Sequence, residues 1–242
     1  MPTDKNTVKL YLENALLQLA CESYFHGIDL SDQNDPVTKN SIIRRLKYGF
    51  NDPTHPFILK KASVTNENIP ETTVTGSNTP VLAATNRMVG TQATQLVEGY
   101  EIIDQHANDS TGFSATLFLK KGTTNEYTLS FRSTEFRRWE IAGDGERDND
   151  GANRIGVAGE GFAQAELASM EDYWQHIRAG ERWNSTTSTW NPDIDLATGD
   201  PGKLAKFQEY LGGGGKINTT GYSLGAHLAS VFTLMQSIGV KS

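Results

Sequence analysis

Ser223 stands in a residue pattern typical of a catalytic nucleophile. It lies at the centre of Gly221-Tyr222-Ser223-Leu224-Gly225, a Gly-x-Ser-x-Gly sequence. In many enzymes that cleave esters, this pattern forms a sharp turn between a strand and a helix and exposes the serine hydroxyl. The two glycines are needed because a β-carbon at either position would strike the adjoining strand or helix. A helix that begins after Ser223 would also point its positive end at negative charge developing there.

The residues on either side of Ser223 favour such a turn. The stretch 216–220 before it is short and β-branched, which predicts a buried strand. From Leu224 to Ile238, apolar residues recur with helical spacing. The alternative is a chance turn before a core helix, because the chain contains 23 glycines. The predicted strand and helix together favour the nucleophile turn.

A second motif lies upstream, where Leu129 to Glu135 reads Leu-Ser-Phe-Arg-Ser-Thr-Glu and ends a predicted strand. Together with Gly161-Phe162 and the turn at Ser223, it resembles the class 3 (fungal-type) lipases of the α/β-hydrolase fold. The resemblance covers residues 101–242 and is loose before them. In that family, a strand ending Phe-Arg-Gly-Thr or Phe-Arg-Gly-Ser supplies half of the oxyanion hole from the backbone N–H of its last residue. The resemblance assigns this role to Thr134, and the N–H of Leu224 is the other half.

The sequence departs from the family pattern at two of these positions. Ser133 stands where glycine is usual, and Tyr222 stands where histidine is usual and is expected to pack beside the nucleophile. For Thr134, the alternative to an oxyanion role is a threonine that caps a turn at the end of a strand. His227 is expected to pack or to support the site without contacting the Ser223 hydroxyl.

The other two members of a catalytic triad are the main departure. In α/β-hydrolases the acid and the histidine follow the serine along the chain. After Ser223 there are 19 residues, with His227 as their single histidine and no acid. We therefore expect the triad acid and base to be absent from this chain. On this interpretation the chain is the N-terminal part of a longer lipase and is a poor catalyst by itself.

The elements that must position these motifs are helices and strands in mixed order, which predicts an α/β fold. The expected architecture is an α/β-hydrolase-like mixed sheet flanked by helices and incomplete at its C-terminal side. Residues 1–98 are predicted to be a helical and loop-rich region that packs on a truncated core, residues 99–242. The predicted helices are 8–25, 41–48, 91–97, 161–178, 201–211 and 224–238, and the predicted strands are 100–104, 113–119, 126–131 and 216–220.

Some segments carry more specific expectations. Asp200 is expected to cap the helix that begins at Pro201, and the polar stretch 181–196 is read as turns with Trp183 and Trp190 as packing anchors. Residues 136–141 have the apolar side chains of a lid over a lipase site. The acidic run Asp144–Asp150 is interpreted as a solvated loop, with calcium binding as the alternative.

Charge and composition restrict the classes of partner. A net charge of −7 with interspersed signs argues against nucleic acid. Cys21 is the single cysteine, so it forms no disulfide within the chain and is predicted to be a buried thiol. No apolar run is long enough to cross a membrane, and the first residues lack the pattern of a signal peptide. The expected location is therefore the cytoplasm, or outside the cell by a route that uses another signal.

The resemblance implies a lipase or esterase that hydrolyses carboxylic esters through a serine acyl-enzyme. Acylglycerols or related lipids are the implied substrates, lipid aggregates the implied interfacial partner, and no cofactor is expected. The acyl chain length stays open, as does the choice between lipase, phospholipase and acyltransferase. The competing hypothesis is a non-catalytic remnant or lipid-binding module that keeps the turn at Ser223 as an element of its fold.

Overall fold

The computed structural model describes residues 4–23, 25, 28–48, 88–107, 109, 111–133, 163–184, 187–195 and 198–237. In these ranges three helices come first, followed by three strands and then by a helix, two short strands, a helix, a short strand and a last helix. The helices are α1 (Lys5–Cys21), α2 (Pro36–Tyr48), α3 (Gly90–Gly99), α4 (Gln164–Arg178), α5 (Lys203–Gly212) and α6 (Leu224–Ser237). The strands are β1 (Tyr100–His106), β2 (Ala115–Lys120), β3 (Tyr127–Phe131), β4 (Glu181–Asn184), β5 (Thr189–Pro192) and β6 (Asn218–Gly221).

The larger sheet has the strand order β1-β2-β3-β6. Strands β1, β2 and β3 pair antiparallel, whereas β6 pairs parallel to β3, with Phe131 opposite Gly221. Because β1, β3 and β6 therefore run in the same direction, their carboxyl ends meet at one edge of the sheet. The predicted α/β class with a mixed sheet is confirmed. The finer expectation of a hydrolase fold stays a prediction.

Helices cover both faces of this sheet. Strand β3 shows why: Tyr127, Leu129 and Phe131 point into a core formed with α4, α5 and α6, since alternate residues of a strand face opposite sides. On the other face, α1, α2 and α3 pack against Ile102 and Phe118. The helices of residues 1–98 thus lie on the sheet. The division of the chain into two regions at residue 98 stays a prediction.

Two local predictions were wrong. Helix α5 begins at Lys203 and not at Pro201, because its cap comes from elsewhere in the chain: the backbone N–H of Leu204 donates to the Asp193 carboxylate at 2.8 Å. The stretch 181–196 contains an antiparallel hairpin, β4 with β5, in which Trp183 lies opposite Trp190. Trp190 packs against the core, but Trp183 stays 47% exposed and is not an anchor.

Several expectations lie outside the described residues. They are Thr134, the lid segment 136–141 and the acidic run Asp144–Asp150. In the described ranges, no three metal-ligating side chains come together. None of the helices in those ranges combines the length and apolar character needed to cross a bilayer.

Candidate active site

Ser223 lies between the end of β6 and the start of α6, as predicted. Its φ angle is +53°, in the left-handed region that a residue with a β-carbon rarely adopts. Such a conformation costs about 1–3 kcal/mol and is found preferentially at functional sites. The side chain of Ser223 is exposed, whereas Leu224 beside it is buried. The strained turn is thus confirmed, and the role of Ser223 as nucleophile stays a prediction.

The two glycines around Ser223 have no room for a side chain. A β-carbon on Gly221 would overlap the backbone of Gly225 and come within 2.9 Å of the Ala226 nitrogen. A β-carbon on Gly225 would overlap the Phe131 carbonyl and come within 2.7 Å of the Arg132 carbonyl oxygen. The close packing of β6 on α6, and of α6 on the end of β3, therefore explains both glycines.

The second motif lies beside the first. Phe131, the last residue of β3, pairs with Gly221, so the chain that leaves β3 starts at the same edge as Ser223. The structure follows it through Arg132 and Ser133. Thr134 lies outside the described residues, so its predicted oxyanion role is not tested.

Leu224 is the first residue of α6, and the first N–H groups of a helix have no acceptor within it. Its N–H can therefore donate to a ligand atom near Ser223. The buried Leu224 side chain packs against Ala163, the residue before α4. Tyr222, in contrast, is 62% exposed, so the prediction that it packs beside the nucleophile was wrong.

His106 is too far from Ser223 to act as its base. It is the last residue of β1. Successive cross-strand pairs form a row of residues that leads from His106 through Ala115 and Phe131 to Gly221. Three strand spacings separate the two ends of this row by about 14 Å. The His106 ring is buried against Phe113 and Tyr173, and burial lowers its pKa although nearby carboxylates oppose this.

His176 is remote as well. Its Nδ1 lies 2.6 Å from the Glu181 carboxylate, and its ring stacks on Trp190 at 4.2 Å. It lies thirteen residues beyond Ala163, or about 20 Å along α4. His227 lies one turn into α6 and donates its backbone N–H to the Ser223 carbonyl at 3.2 Å. His26 and His55 lie outside the described residues.

Two carboxylates near this edge of the sheet were not predicted, one buried and one partly buried. Glu166, 2% exposed, lies in the first turn of α4, close to the contact between Ala163 and Leu224, and burial raises the pKa of its carboxyl group. Glu22, at the end of α1, accepts hydrogen bonds from Ser133. One signal was available for Glu22, because a negative charge at a helix C-terminus is unfavourable unless a cation or donor faces it.

Comparison of this chain with models of known families, with curated proteins and with solved structures finds no match. The resemblance to class 3 lipases therefore rests on the quoted motifs alone. What the geometry adds is the strained serine, the two glycines without room for side chains, and the parallel pairing of the two motif-bearing strands.

Proposed function

We propose that this chain carries the nucleophile of a serine carboxylic-ester hydrolase of lipase type. The observation that carries the proposal is the left-handed conformation of an exposed serine between two close-packed glycines. Evolution tolerates such strain mainly where it serves function, since glycine would occupy the position at lower free energy.

The proposed reaction is acyl transfer in two steps. The Ser223 Oγ attacks the ester carbonyl carbon while a base takes its proton, and the carbonyl oxygen becomes negatively charged. The C–O bond to the alcohol then breaks, and the alcohol leaves with that proton. Water attacks the acyl-enzyme in the same way and releases the carboxylic acid.

Charge stabilisation in this mechanism comes from backbone donors. In the proposal, the N–H of Leu224, the first residue of α6, donates to the oxygen that becomes negative. In the proposal, the N–H of Thr134 is its second donor. Each such donor is worth about 3 kcal/mol of barrier in a site that needs no reorganisation.

The competing proposal is a non-catalytic lipid-binding module that keeps the turn as a fold element. The positions of His106 and His176 favour it, because neither is placed to take the Ser223 proton. Hydrolysis of a short-chain activated ester separates the two proposals. We expect turnover by the intact protein that is lost in Ser223→Ala and kept in Ser230→Ala, which changes an exposed serine of α6. Equal rates in both variants would support the binding module.

A further inference from the structure

Glu22 links the N-terminal helix to the segment that leaves β3. The backbone N–H of Ser133 donates to Glu22 Oε1 at 3.1 Å, and the Ser133 hydroxyl donates to the same oxygen at 2.8 Å. The other carboxylate oxygen lies 3.6 Å from Arg132 Nε. The side chains of Arg132 and Glu22 are only 5% and 10% exposed, so little water competes for these contacts.

The end of α1 is itself held on the sheet. The Cys21 thiol donates to the Ser130 carbonyl at 3.0 Å, and the Ser130 hydroxyl reaches the Leu17 carbonyl at 3.4 Å. Both contacts are buried. Glu22 is therefore held in place on the sheet, and its carboxylate restrains the backbone of Arg132 and Ser133.

The same backbone touches the nucleophile turn. Gly225 lies so close to the Arg132 carbonyl that a β-carbon would come within 2.7 Å of that oxygen. A shift of the Arg132 backbone would therefore also displace the start of α6.

These contacts also account for a departure from the lipase pattern. Ser133 stands where that pattern has glycine, and its hydroxyl supplies the second hydrogen bond to Glu22. A glycine would keep the backbone donor and lose this one. The serine and the glutamate thus form one unit, although they are far apart in the sequence.

We infer that Glu22 is a positioning residue for the proposed hydrolase. Its carboxylate sets the path of Arg132 and Ser133 as they leave β3, and through the close contact of Arg132 with Gly225 it sets the position of the Ser223 turn. This inference rests on the proposed function. It assigns the N-terminal helix, which the lipase resemblance covers only loosely, a part in the chemistry.

The test compares Glu22→Gln with Glu13→Gln in the intact protein. Glu13 lies on the same helix and pairs with Lys120, so its substitution removes the same charge and breaks another ion pair to the sheet. The measured quantities are the maximal rate and the binding constant for fluorophosphonate modification of Ser223, with amide hydrogen exchange at Ser133. A displaced donor slows chemistry by about 10- to 100-fold. We expect that fall in maximal rate for Glu22→Gln with binding unchanged and faster exchange at Ser133, and neither change for Glu13→Gln.

A second variant, Ser133→Ala, keeps the test valid if Glu22→Gln fails to fold. Ser133→Ala removes one hydrogen bond and leaves the ion pair, so it should give a smaller fall in the same maximal rate. Equal maximal rates in wild type, Glu22→Gln and Ser133→Ala would overturn the inference. Absence of modification in the wild type would instead overturn the proposed function. In that case, unchanged exchange at Ser133 in Glu22→Gln would overturn the restraint itself.

Discussion

Gly225 lies directly against the Phe131 carbonyl, with no room between them for a β-carbon. This contact joins the start of α6 to the end of β3 and so holds the two sequence motifs at one edge of the sheet. It makes the geometry of the turn sensitive to a single methyl group.

Gly225→Ala should therefore destabilise the fold. The new β-carbon meets backbone atoms, which cannot rotate away, so we expect a loss of about 3 kcal/mol in the free energy of unfolding. Gly212→Ala is the matched control, since nothing lies within 4 Å of a β-carbon there. Urea denaturation checks both variants. A Gly225→Ala protein as stable as the control would contradict the close packing.

Ser223→Gly should be more stable than Ser223→Ala by about 1 kcal/mol, because glycine adopts the left-handed conformation without strain. Both variants lack the hydroxyl, so the difference isolates the backbone term. Ser188 has the same φ of +53° on the β4–β5 hairpin, and Ser188→Gly should also stabilise while leaving Ser223 modification unchanged. Equal thermal stability of Ser223→Gly and Ser223→Ala would mean that Ser223 is not strained.

The turn at Ser223 could be predicted from sequence because its determinants are local: a β-branched strand, two glycines and a helical apolar pattern. The start of α5 could not, because its cap is the distant Asp193. The β4–β5 hairpin was missed since its residues are polar and its one recognisable feature is the cross-strand pair of Trp183 and Trp190.

Glu22 shows the same limit at the site. Its contact with Ser133 spans 111 positions of the sequence and depends on how α1 lies on the sheet. A local pattern carries no information about that packing. The positions of His106 and His176 likewise follow from the strand order and the helix directions, which local sequence patterns do not predict.

Stability should depend on pH through Asp193. Burial alone would raise the pKa of its carboxyl group, but hydrogen bonds from Arg182 and from the Leu204 N–H outweigh it and lower the pKa. A lowered pKa in the folded state gives stability that is present above the unfolded value, near 4, and lost as the pH falls through the folded value. Asp193→Asn should thus cost about 2 kcal/mol at pH 7 and less at acid pH.

Asp200→Asn, an exposed carboxylate beside the same helix, is the control for that measurement. Unfolding followed by circular dichroism between pH 2 and about 7 covers the window of the lowered pKa. A difference between wild type and Asp193→Asn that grew at acid pH would contradict the assignment.

Cys21 should be unreactive in the folded protein. Burial raises the pKa of its thiol to about 12, so almost no thiolate forms near neutral pH. As the chain has no other cysteine, an aromatic disulfide reagent at pH 8 reports on this thiol alone. We expect full reaction in guanidinium chloride and a rate at least about 100-fold lower in buffer. Equal rates would mean that α1 does not stay on the sheet.

Fluorophosphonate modification of the intact protein, with the modified residue located by mass spectrometry, shows directly whether Ser223 is a nucleophile. We expect a phosphonyl group on Ser223, absent in Ser223→Ala and retained in Ser230→Ala, because among the serines that the structure describes only Ser223 combines exposure with the N–H donors at the start of a helix. Modification of another serine, or none in the intact protein, would contradict the assignment of Ser223 as nucleophile.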